Sequence, residues 1–95
     1  MLSYLPAVEC AVSASDKFPD TEIVGVQDAA GKSQFLRVSK GFVVRDEDKH
    51  FLPIGIVDVD FPNKQALIEL PSEADSGLNR MWIPFGRFRQ ENNGA

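Results

Sequence analysis

Apolar and polar positions alternate along this chain in short bursts, and none of the apolar stripes recurs at helical spacing over a helix's length. The clearest burst covers residues 54–70. Across 54–61, Ile54 and Ile56 fall on one side together with Asp58 and Asp60, and Val57, Val59 and Phe61 fall on the other. Phe61-Pro62-Asn63-Lys64 reads as a turn, after which Ala66, Ile68 and Leu70 share one side. A period of two on both flanks of a turn predicts an antiparallel hairpin. The same rule predicts strands over 22–27, with Val24 and Val26 opposite Ile23, and over 33–39, with Leu36 and Val38 opposite Phe35. Between them, Asp28-Ala29-Ala30-Gly31-Lys32 is a hairpin-type turn, because Asp initiates turns and Gly tolerates positive φ.

The remaining segments are shorter. Residues 42–45 are rich in β-formers, 46–49 form a charged turn, and 50–53 are extended because the residue before a proline avoids the helical region. Residues 80–84 form a last strand, followed at 85–88 by a closing turn or a single helical turn. Residues 7–12 fit a strand with Val8, Cys10 and Val12 on one side, or a short helix. Residues 13–20 and 71–79 are polar loops. Six prolines and seven glycines spread through 95 residues leave little room for long helices. Six or seven short strands predict an all-β fold, a small antiparallel β-barrel with at most one short helix. It is expected to form a single domain over residues 1–90, with a fraying tail at 91–95.

Three stretches carry a family resemblance. Val26-Gln27-Asp28-Ala29-Ala30-Gly31-Lys32 is a strand ending in a D-x-x-G-K turn. Phe51-Leu52-Pro53-Ile54-Gly55-Ile56-Val57 resembles an aromatic/aliphatic-Pro-x-x-x-Val step. Asn63-Lys64-Gln65-Ala66-Leu67-Ile68-Glu69-Leu70 is similar to the strand that follows that step. Together they resemble the PRC-barrel superfamily over roughly residues 22–70. That superfamily includes a cytoplasmic domain of the photosynthetic reaction centre, a domain of a ribosome-maturation factor, and short bacterial proteins similar to stand-alone barrels. Gln34-Phe35-Leu36 stands where the family's first turn is followed by Gly-x-Val. The resemblance implies a PRC-barrel-like bacterial adaptor or protein-binding domain, with no common catalytic residue to carry over.

Charge narrows the partners. The formal net charge is −4. Residues 1–78 hold 7 Lys/Arg against 13 Asp/Glu, whereas residues 79–95 hold Arg80, Arg87 and Arg89 against Glu91. An acidic body repels phosphate and anionic lipid, so nucleic acid is a disfavoured partner. The single cysteine precludes an intrachain disulfide and fits a reducing compartment. With no signal-like N-terminus and no apolar run of membrane length, the expected address is the cytoplasm, without membrane insertion.

Candidate chemistry is sparse. Cys10 and His50 are the only residues of their types. A nucleophilic pair needs them in contact with an orienting group, and Cys10 in an apolar stripe reads better as a small buried hydrophobe. Asp46, Asp58 and Asp60 are carboxylates that a hard cation could use, but they read better as solvated acids guarding strand edges. No phosphate loop or nucleophile elbow occurs. No catalytic residue, metal or cofactor is therefore expected. The densest apolar run, residues 81–85, offers more apolar surface than one strand face buries. Met81, Trp82 and Phe85, flanked by Arg80 and Arg87, are the expected interface for a protein partner or a second copy in a homodimer. An alternative is a nucleic-acid- or ribosome-associated barrel, with Arg80, Arg87 and Arg89 on phosphates and Trp82 and Phe85 stacking on bases.

Overall fold

The computed structural model describes residues 6–14 and 18–89 and is all-β and antiparallel. Eight strands lie among the described residues: β1 (Ala7–Ala14), β2 (Thr21–Gln27), β3 (Ser33–Ser39), β4 (Val44–Asp46), β5 (Lys49–Pro53), β6 (Gly55–Asp60), β7 (Gln65–Glu69) and β8 (Arg80–Pro84). One turn of 3-10 helix, Phe85–Arg87, closes the path. The strands form a five-stranded sheet, β3-β2-β1-β5-β4, and a three-stranded sheet, β6-β7-β8. The tail at 91–95 and the middle of the 13–20 loop lie outside the described residues.

Local chemistry accounts for the hairpins. The β2–β3 turn is tied by Asp28, whose Oδ1 accepts the amides of Ala30 and Lys32, while Gly31 takes φ +86°. Strands β2 and β3 pair from Thr21↔Ser39 to Gln27↔Ser33, which sends Val24, Val26, Leu36 and Val38 to the core side. The expected 54–70 hairpin forms as β6–β7, from Gly55↔Glu69 to Asp60↔Gln65. Strand β1 changes partner along its length. Residues 7–10 pair with β5 and residues 11–14 with β2.

Several boundaries differ from the sequence expectation. Residues 7–12 are strand rather than helix, and β1 runs on to Ala14 because Ser13 and Ala14 pair with Ile23 and Glu22. The charged turn shrinks to Glu47 and Asp48, with Glu47 at φ +57°, since Asp46 and Lys49 pair with each other. The short strand begins at Val44, not at Phe42. Within β6, a bulge between Ile56 and Asp58 breaks the period of two. Ile56 lies opposite Ile68 and Val59 opposite Ala66, on the core side, whereas Asp58 and Asp60 face Leu67 and Gln65 on the other side. Asp58 and Asp60 thus share a face with each other but not with Ile56.

The core lies between the two sheets. Val8, Val24, Leu36 and Leu52 from the larger one meet Ile68, Met81 and Ile83 from the smaller. An isolated bridge, Val8↔Phe88, ties the segment after the 3-10 turn to β1, and the Arg89 amide donates to the Ala7 carbonyl at 2.8 Å. The Ala29 amide donates to the Trp82 carbonyl, so the β2–β3 turn covers part of the free edge of β8. Ser76 Oγ donates to the buried Gln34 Oε1 at 2.6 Å, which holds the loop before β8 against β3. No helix among the described residues is long and apolar enough to cross a membrane.

Candidate protein-binding surface

Pairing of β1 with β5 sets Cys10 directly across from His50. Sequence reasoning could not see this adjacency, because it arises from a long-range register. The two side chains are neighbours without being hydrogen-bonded to each other: the imidazole Nε2 meets Arg45 Nη1 at 3.0 Å, and Arg45 lies 3.7 Å from Glu22. Burial, followed by the nearby carboxylates of Glu22 and Glu9, pushes the Cys10 thiol up to about 12. A thiol so poorly ionised at neutral pH is a weak nucleophile.

The acidic residues are spoken for locally. Asp46 accepts from Arg89 Nε at 3.2 Å, Asp58 Oδ1 accepts the Val59 amide at 2.8 Å, and Asp60 accepts the Asn63 side-chain amide at 2.8 Å. The hydrogen bonds from Asn63 hold the Asp60 carboxyl below its ordinary range. No group of three His, Cys, Asp or Glu among the described residues is placed to hold a metal ion.

The expected interface residues separate. Met81, only 5% exposed, and Ile83 point into the core from β8. Trp82 and Phe85 are half-buried on the other side and at the strand's end, and Arg80 is exposed. Arg80 Nη2 lies 3.1 Å from Glu69, its cross-strand neighbour, and Arg87 Nη2 donates to Gln27 Oε1 at 2.6 Å.

Four of the eight exposed large hydrophobic side chains among the described residues lie elsewhere, on β6 and the turn after it. Five of the six β6 residues are exposed although three of them are Ile56, Val57 and Val59. Ile56 is 48% and Phe61 73% exposed. Phe61 packs edge-on against Phe85, with ring centroids 6.0 Å apart, so part of the expected interface adjoins this surface. At the other end of β6, Phe42, Pro53, Ile54, Ile56, Val57 and Leu70 line an open groove of about 530 Å³. The strand therefore runs from an apolar groove to an aromatic pair. It has β7 on one side and no strand on the other among the described residues. The signal in the sequence was the apolar character of both sides of 54–61, which a strand covered on one face alone does not need. Such a surface can bury apolar area against a protein and extend its backbone ladder into it. Comparison with protein-family models, with curated proteins and with solved structures finds no match.

Proposed function

We propose that this chain is a non-catalytic protein-binding domain whose contact surface is β6 together with Phe61, Phe85 and Trp82. The observation that carries this reading is the exposure of Ile56, Val57, Val59 and Phe61 on a strand whose second edge pairs with no strand among the described residues. Contiguous exposed apolar surface is costly to keep in water, and removing it from water is the main driving force of association. A protruding Phe61 backed by Phe85 is the kind of aromatic anchor around which interfaces concentrate their energy. The unactivated Cys10 thiol supports a role without catalysis. The pairing of Arg80 with Glu69 and of Arg89 with Asp46 leaves less charge for phosphate, which favours protein over nucleic acid. The resemblance to PRC-barrel domains points the same way.

The test is a triple variant, Ile56→Ser, Val59→Thr and Phe61→Ser, compared with wild type in capture from the native host's extract and in sedimentation at micromolar concentration. Circular dichroism confirms that both are folded. Loss of a captured protein, or of self-association, in the folded variant supports the proposal. Association that is unchanged in the variant overturns it.

A further inference from the structure

We infer that β6 takes up an extended segment of a different protein, one that alternates apolar with basic residues, as an added strand. This inference rests on the protein-binding reading above and names the chemistry of its partner. The bulge sorts the side chains of β6 into two kinds. Ile56, at the rim of the groove, and Val59 stand opposite Ile68 and Ala66 on the core side, whereas Asp58 and Asp60 stand on the outer side opposite Leu67 and Gln65. A strand laid along the free edge presents its own residues alternately to those two faces. The core-side residues of the guest meet Ile56 and Val59, and its outer residues meet two carboxylates. Gly55 to Phe61 spans about 20 Å at roughly 3.3 Å per residue, which fits a guest segment about six residues long.

Charge decides between a foreign segment and a second copy. β6 carries two aspartates and no basic residue, so antiparallel pairing with another β6 brings aspartates of both copies to the same outer face. Like charges across a strand pair are destabilising, and the whole chain carries −4. The outer face of β6 suits lysine or arginine.

The same carboxylates keep the edge closed to indiscriminate pairing. Asp58 Oδ1 holds the Val59 amide, and charged residues and bulges are the usual devices that stop free edges from aggregating. A cationic side chain on the guest draws the Asp58 carboxylate outward and releases that amide to the incoming backbone. The edge thus opens to a basic strand and stays shut to a neutral or acidic one.

The experiment uses the intact chain and two end-capped hexapeptides, one of alternating valine and lysine and one of alternating valine and glutamate, with amide shifts read by NMR. The valine–lysine peptide is expected to perturb residues 55–61, the Val59 amide most, and to bind about tenfold tighter than the valine–glutamate peptide. Asp58→Lys, an exposed change that leaves the core alone, is expected to reverse that order. Equal binding of both peptides, or shifts centred on another strand, overturns the inference. If neither peptide binds and wild type instead self-associates through β6, the foreign basic segment is wrong and the protein-binding reading stands. If neither peptide binds and the triple variant also changes no association, both fall.

Discussion

Strands β3 and β6 each end a sheet, and they treat their apolar residues in opposite ways. In β3, Gln34, Leu36 and Val38 are buried and every residue between them is exposed, so the period of two in the sequence becomes a period of two in burial. In β6 the same kind of alternating sequence yields a strand exposed on nearly every residue. The difference lies in what covers the core-side face. Leu36 and Val38 belong to the core cluster that both sheets build, and the loop at Ala74 to Ser76 bonds along β3, with the Asp75 amide donating to the Phe35 carbonyl and Ser76 Oγ to Gln34 Oε1. Ile56 and Val59 reach the rim of the core and stop there. Alternation therefore reports a residue's fitness for a half-covered surface, and the covering itself depends on which element folds over it.

That contrast sets the ranking of expected substitution effects. Leu36, 1% exposed, fills space between the sheets. Leu36→Ala is expected to cost about 2–5 kcal/mol in urea unfolding, and a cost no greater than that of a β6 substitution would break the contrast. On the outer side of β3, the Phe35 ring lies over Gly25, and a methyl group there would sit 2.9 Å from the ring. Because Phe35 is 49% exposed, the ring can swing away. Gly25→Ala is accordingly expected to cost about 1 kcal/mol, with Phe35 proton shifts moving toward solvent-exposed values. Unmoved Phe35 shifts would contradict that packing.

Ile56→Ala removes a side chain that is already half in water, so a loss of about 0.5 kcal/mol is expected. A loss above about 2 kcal/mol would make Ile56 a core residue. The smallest effect concerns the β6–β7 turn. Hydrogen bonds from Asn63 lower the Asp60 carboxyl below its ordinary value of 3.8. A folded-state value below the unfolded one adds stability that is present above the ordinary aspartate range and is lost as pH falls through the folded-state value. Acidification should therefore shift the Asn63 side-chain amide below pH 3.8 while amides in β3 stay put. A titration at or above 3.8 would remove the Asp60–Asn63 bond from the account.

Much of the fold was legible because its turns carry local chemistry. Asp28 and Gly31 specify the β2–β3 turn within five residues, and Phe61 to Lys64 separates two alternating runs. The parity of Leu36 and Val38 also turns Gln34 inward, although the bond from Ser76, 42 residues away, to its Oε1 did not follow from it. The bulge at Val57 left no mark in the pattern, and it moved Asp58 and Asp60 to the face opposite Ile56. The interface expected at Met81 to Phe85 drew on apolar density, which does not tell a closing core strand from an exposed one. The burial of Met81 and Ile83 comes from β8 pairing with β7 against the five-stranded sheet. The meeting of Cys10 with His50 was likewise invisible, since it needs the β1–β5 register.

The most direct test of β6 as the binding edge is amide hydrogen exchange at residues 55–61 and at residues 33–39, with and without saturating valine–lysine hexapeptide. The account predicts that exchange slows in 55–61 and is unchanged in 33–39. Slowing in 33–39, or in neither segment, would contradict it.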